Sequence, residues 1–592
     1  MKRLIQLTFL LFVSLSFSQS EEIADDYFKR GDFEKAMLAY QKLMEKEPGN
    51  YKYTYKLIES YQQLEKYQEV QDLLVERIER SKNPSLVVEL GYNYQLRDSL
   101  DQANKFYRMA IADSEANPIY SYNVAKQFED HSLLDEAIEV YKIAMRLNPN
   151  QNFNIQLARI YGEQGNIEEM FSSYMEYTES KPEFLNNTKR AFSEFISESS
   201  DNENNQILKK LLLKKLQLSP DTYWYDLLSW LFVQEKDYNK SFTQEKALYM
   251  RNPESLNRLI ELGVTTVNEG QDETAKEIFN YIVLTSQDIG TKLTAHQYLL
   301  DIDVSNAKKK DYPEIDARYQ ALFNEFGKFE QTVPLQISYG HFVAFYLKDP
   351  DSASKFLKES LKLNLSGFQQ AVVKMKLGDI LVMEEKFNEG LIYYSQIQAN
   401  LKNSSISQEA RFKVARTSYF KGDFDWAESQ LKILKASTSQ LIANDALELK
   451  LLISDNKYED SLHVALNMYA KADLLAFQNR KEEAVVLLEQ ILTEHKGESI
   501  EDQALYKQAR LFEEDDQVDK AIINYQKIIA NYADDILADD AYYRLGNIYN
   551  YNLKQPEKAK EYYEKIIFEH EDSIFYVDTR KKYRMLRGDD IN

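Results

Sequence analysis

Six histidines, His131, His296, His341, His463, His495 and His570, have the widest chemical range in a chain that contains no cysteine. A zinc hydrolase would set two of them four residues apart on one helical face with a glutamate between. Both imidazoles would then reach one metal while the carboxylate activates its water. No pair stands that way. A serine nucleophile would need a GxSxG elbow, and a nucleotide would need a glycine-rich phosphate loop; neither motif is present. The run Glu513-Glu514-Asp515-Asp516 gathers carboxylates without the alternating ligands and central glycine of a calcium loop. It reads as a solvated turn between helices, and each histidine as a packing or surface residue. The chemistry left is recognition without covalent change, and the 42 tyrosines and 30 phenylalanines suit it.

Those side chains sit on a repeated scaffold. Leu90-Gly91, Tyr94, Ala103, Tyr107 and Ala110 recur as Val124-Ala125, Phe128, Ala137, Tyr141 and Ala144, each displaced by 34 residues. A small residue in one helix facing a small residue in the next lets two antiparallel axes approach to about 8–10 Å. The aromatics then fill the wedge beside the crossing. One such pair cannot bury its apolar side alone, so stability requires a stack of them. The small-residue series Ala24, Ile58, Gly91, Ala125 and Ala158 steps by 34, 33, 34 and 33.

Composition agrees with a nearly all-helical stack. In 592 residues there are only 17 glycines and 11 prolines, too long a chain for one compact core. Met1 to Ser18 has a basic start, an apolar run and small residues before Gln19, the order of a secretory leader. No cysteine follows it, which excludes a lipid-anchored lipoprotein. The formal net charge of -22 becomes -24 without Lys2 and Arg3, a field that repels nucleic-acid phosphates and anionic lipid. The expected organisation is a signal peptide at 1–18 and an N-terminal repeat array at 19–183. A divergent helical region follows at 184–335, then looser repeats at 336–440 and a C-terminal array with a capping helix at 441–592. The tetrapeptide Ser454-Asp455-Asn456-Lys457 is expected to be a loop, and Pro313 to open a helix.

These residues resemble the tetratricopeptide repeat (TPR). The resemblance implies an all-α, right-handed superhelical solenoid of antiparallel helix pairs, with irregular pairs in the middle. It also implies binding of protein or peptide partners, with no cofactor, no metal and no catalysis. In that family, positions two, five, nine and twelve of each first helix line the groove. Carried onto this chain, the count gives Tyr92, Tyr122, Lys126, Ile155, Arg159 and Trp230, and at the C-terminal end Tyr506, Arg510, Tyr543, Asn547 and Asn550. Ala541 to Tyr549 with Pro556-Glu557-Lys558-Ala559 resembles more narrowly the repeats of outer-membrane assembly lipoproteins and of the periplasmic partner of the Tol-Pal system. The missing acylated cysteine is a departure from the lipoproteins. The expected function is a periplasmic or exported scaffold for protein segments, within an envelope assembly or secretion complex and without membrane insertion after leader cleavage. The alternative is a peptidoglycan- or carbohydrate-associated factor.

Overall fold

The structure is a computed structural model that describes residues 21–434, 440–458 and 462–589. The expected leader at 1–18 lies outside the described residues. Among those described, every regular element is a helix, arranged as an all-α array of helix pairs. The chain divides into two compact bodies, one ending at Leu231 and the other starting at Phe232.

In the first body, a helix at 21–29 pairs with Phe33–Lys46, then Tyr51–Gln63 with Tyr67–Ser81 and Pro84–Gln95 with Leu100–Ala116. Ser121–Asp130 with Leu134–Leu147, and Asn154–Glu163 with Ile167–Ser180, complete the regular part. Each first helix ends the same way: Gly31, Glu65, Asp98, Ser132 and Gly165 all adopt a left-handed backbone. The next N–H then turns back to the carbonyl of Tyr27, Tyr61, Tyr94, Phe128 or Tyr161, at 2.8–3.0 Å. That bond satisfies a carbonyl the helix end would leave bare. The irregular pair is Leu185–Phe192 with Glu203–Leu218, and Asn205 ties the connection down by bonding both backbone atoms of Ser197.

The second body continues with Asn257–Asn268 and Asp272–Thr285, then Ile289–Asn306 and Tyr312–Phe326, the latter with Pro313 in its first turn. The pairs Val333–Phe345 with Pro350–Ser360, Gly367–Met383 with Phe387–Asn400, and Ser405–Phe420 with Phe424–Leu434 follow. Gln440–Asn456 comes next, then Val464–Phe477 with Lys481–Glu494 and Ile500–Glu514 with Val518–Asn531. Ala538–Asn547 runs into a π turn at Ile548–Asn552 before Pro556–Glu569, and Tyr576–Arg587 closes the array. The loop expected at 454–457 is corrected: Ser454, Asp455 and Asn456 form the last turn of a helix, where Asn456 bonds back to the carbonyl of Leu452 at 2.8 Å.

The packing rule also differs in detail from the sequence expectation. A small residue on the first helix makes room chiefly for the aromatic or leucine ahead on the second helix. A Cβ on Gly91 would stand 2.5 Å from the Tyr107 ring, and the carbonyl of Ala103 lies at 3.2 Å from it. Gly263 is matched in the same way by Phe279, Gly340 by Leu357, Gly378 by Tyr394 and Gly546 by Tyr563. The tyrosine then reaches past the glycine to the first helix. Tyr107 donates to Gln95 at 2.8 Å, Tyr141 to Glu129 at 2.7 Å, Tyr394 to Asp379 at 2.7 Å and Tyr563 to Asn547 at 2.9 Å. Ring burial and a satisfied hydroxyl are thus obtained from one residue.

One helix of the second body breaks nearest-neighbour order. Val464–Phe477 crosses the ends of three earlier first helices. Phe477 meets Phe345 edge-on at 5.6 Å and Phe420 at 5.9 Å. Gln478 donates to the carbonyl of Met383 at 2.8 Å, and Lys471 pairs with Glu385 at 2.6 Å. These contacts join the second body into more than a linear stack.

Candidate functional site

The first helices of each body present successive faces on which the expected binding residues fall. In the first body, Tyr122 is 48% exposed, its ring 6.4 Å from Phe153. Lys126 and Arg159 are exposed and converge on Glu129, at 3.6 and 3.7 Å, while Lys126 also holds Asp130 at 2.9 Å. Tyr92 is already engaged: its ring stacks on His131 at 3.7 Å, and His131 meets the buried Glu89 at 2.7 Å. Ile155 and Trp230 are half-buried. Tyr122, Lys126 and Arg159 are therefore the expected residues that keep contact area for another molecule.

At the C-terminal end the expected residues interlock across units. Tyr506 donates to Asp540 at 3.1 Å, and Tyr543 to Asp578 at 2.7 Å while stacking on Phe575 at 4.2 Å. Asn547 accepts from both Tyr563 and Lys582 at 2.9 Å. Asn550 is half-buried and bonded to Tyr563, and Arg510 is half-buried with its Nε–H lacking an acceptor. Burial and the neighbouring Asp539 push the Asp540 carboxyl up to about 6, and burial does the same for Asp502.

A rule emerges that the sequence reading missed. A cation on one first helix bonds an acid or amide on the first helix before it, 34 or 35 positions earlier. Lys413 bonds Asp379 at 2.8 Å, Lys507 bonds Asp473 at 2.5 Å, and Lys582 bonds Asn547. The rung fails twice. Arg544 follows Arg510, and both Nε–H groups are buried without an acceptor. Lys376 follows His341, whose Nδ1 is buried without a partner. The signal that could have revealed these rungs is the spacing of Gly340, Gly378 and Ala415, and of Ala472, Ala509 and Gly546, at 37 or 38 rather than 34.

Among the described residues no group of histidine and carboxylate side chains is placed to hold a metal ion, and no helix is long and apolar enough to cross a membrane. The array geometry offers extended polar and aromatic faces, the arrangement that suits recognition of another chain.

Comparison with known proteins agrees with the repeat reading. Family models of the tetratricopeptide repeat match residues 152–184, 503–535 and 539–567, and the model of the TT21 fifth ARM repeats domain matches residues 20–117. The chain carries tetratricopeptide repeats. No curated protein matches the sequence. Among solved structures, Naa15/Naa10 bound to HypK-THB is similar at 11% identity, over 97% of this chain and 96% of that one, with a TM-score of 0.28. The APC/C hetero-tetramer Cut9-Hcn1 is similar at 10% identity, over 97% and 98%, with a TM-score of 0.23.

Proposed function

We propose that the protein is a non-catalytic scaffold that captures protein segments on its first-helix faces, exported to the periplasm and acting in an envelope assembly or secretion complex. The observation that carries the binding reading is the set Tyr122, Lys126 and Arg159, which leaves an aromatic ring and two cations accessible on one face of adjacent repeats. Tyrosine supplies rigid contact area at low entropic cost, and arginine can fork onto a carboxylate or peptide carbonyl. The export reading is supported by the order of basic, apolar and small residues in Met1 to Ser18.

Crosslinking in intact cells tests the binding reading. The wild-type chain should recover envelope proteins that the Tyr122→Ala/Arg159→Ala variant does not, at unchanged melting temperature. Equal recovery by both would refute this face as the capture surface. Recovery on purified cell wall in place of protein would favour the carbohydrate-associated alternative, and N-terminal sequencing of the exported chain decides the leader.

A further inference from the structure

The rung at His341 and Lys376 lacks the acceptor that Asp379, Asp473 and Asn547 supply elsewhere, and the surrounding charges define what would complete it. Ser338, Lys376 and Lys413 occupy equivalent positions on three consecutive first helices, as do His341, Asp379 and Arg416. Asp379 is committed: one oxygen takes Lys413 at 2.8 Å and Tyr394 at 2.7 Å. Its other oxygen lies 3.8 Å from Lys376 Nζ, beyond hydrogen-bond range. Asp301, on the helix before, is held by Ser338 at 2.7 Å. Arg416 stands over the rings of Phe420 and Phe477. Lys376 and Lys413 thus share the carboxylate of Asp379, Lys376 as an ion pair at 3.8 Å without a hydrogen-bond acceptor of its own, in a chain whose net charge is strongly negative.

The histidine adds a neutral donor. Its Nδ1 is buried beside no acceptor, so a proton there would be stranded; the stable tautomer carries the proton on Nε2. Burial holds the imidazole pKa down to about 4, with the charges of Lys376 and Lys413 helping, so the ring stays uncharged at neutral pH. Burial lowers Lys376 as well, with Lys413 adding to the effect and the carboxylates of Asp379, Glu409 and Asp301 opposing it.

We propose that Lys376, with His341 and Lys413, forms an oxyanion subsite that receives a carboxylate or phosphate group of the captured segment. The proposal rests on the scaffold reading and specifies one chemical feature of its partner. An oxyanion here would supply the missing acceptor of the rung and link the helices Val333–Phe345, Gly367–Met383 and Ser405–Phe420.

The test needs no partner. Inorganic phosphate and glutarate are titrated separately into the full chain by calorimetry at fixed ionic strength. The wild type should bind at least one of them saturably. Lys376→Gln should weaken that binding at least tenfold and His341→Phe at least threefold, while Lys355→Gln, on a second helix, should leave it unchanged. Lys376→Met, which keeps the aliphatic stem, repeats the measurement if the glutamine variant melts early. Phosphate alone would identify a phosphorylated segment, and glutarate an acidic side chain or chain terminus. No saturable binding of either anion, or a Lys376→Gln variant that binds like the wild type, would overturn the subsite. That blank would leave the scaffold reading to the crosslinking experiment, which reads a different body of the chain.

Discussion

Gly378→Ala isolates the packing rule on which both bodies depend. In an exposed helix this change raises stability by about 0.5–1 kcal/mol, because alanine loses less backbone entropy. At Gly378 the added Cβ would lie 2.7 Å from Cζ of Tyr394 and 3.0 Å from its Cδ1, against an ordinary contact of 3.4 Å or more. The ring is 1% exposed and has no free side to retreat to. Overpacking of this kind costs about 1–3 kcal/mol. If the ring shifts far enough to break the 2.7 Å bond from Tyr394 to Asp379, a buried charge-assisted hydrogen bond worth about 1.5–3 kcal/mol is lost as well. The net expectation is a loss of about 1–4 kcal/mol, opposite in sign to the helix-propensity effect. Gly49→Ala is the internal control, since nothing lies within 4 Å of its Cβ position and its backbone is not left-handed. It should be neutral or stabilise by up to about 1 kcal/mol. A chain of this length need not unfold in one step, so amide exchange of the segments 367–383 and 387–400 is the primary readout, with urea midpoints alongside. Adding Tyr394→Leu to Gly378→Ala should recover more than about 1 kcal/mol relative to additivity, because the clash goes with the ring. A Gly378→Ala protein as protected as the wild type, or strictly additive pairing with Tyr394→Leu, would refute the reasoning.

Four further expectations come from other parts of the molecule. Asp502 and Asp540 have folded pKa values of about 6, raised above the ordinary carboxylate range, so their contribution is fully present below about pH 4 and is lost as pH rises through 6. Exchange protection of the segments 500–514 and 538–547 should therefore increase from pH 7 to pH 5, and Asp502→Asn with Asp540→Asn should flatten that change. His341, lowered to about 4, acts in the opposite sense: the unfolded chain takes up its proton first, so the helix at 333–345 should weaken as pH falls from 6.5 toward 4. Glu65→Gly should be neutral or stabilising because it relieves a left-handed non-glycine residue, whereas Gly31→Ala at the equivalent turn should cost about 1 kcal/mol, both read as melting shifts. Phe477→Ala should cost about 2–4 kcal/mol and reduce protection in the segments 333–345, 367–383 and 405–420 together, while 51–63 stays as it was.

The class of fold was legible because its cause is local. Small residues and aromatics at Gly91, Tyr107, Ala125 and Tyr141 impose the helix pairing by volume alone, and they recur at an interval visible in the sequence. The turns are marked in the sequence where glycine stands, at Gly31, Gly165, Gly270 and Gly422. They were hidden at Glu65, Asp98, Lys236 and Lys348, where a less suited residue adopts the same left-handed backbone. The change of period escaped notice for a geometric reason. The interval grows from 34 to 37 or 38, about one turn of roughly 3.6 residues, which keeps the same face inward while moving the next repeat along, and the first helix grows from 12 residues at Pro84–Gln95 to 17 at Gly367–Met383. Apart from Asn550, which falls in the π turn, the expected binding residues lie on first helices, yet Tyr92, Tyr506, Tyr543 and Asn547 are held by partners 32 to 39 positions away in sequence, and a single-repeat count cannot see them. The broken rung at His341 and Lys376 was invisible for the same reason, since it exists only between repeats.

The crossing of Val464–Phe477 over three earlier units has an evolutionary consequence. Tandem-repeat genes ordinarily grow and shrink by duplicating or deleting whole units, and a simple stack tolerates this because each unit touches only the next. Inserting one unit between 383 and 464 would carry Phe345 out of reach of Phe477 and offset Met383 from Gln478, so the copy number of that stretch is locked.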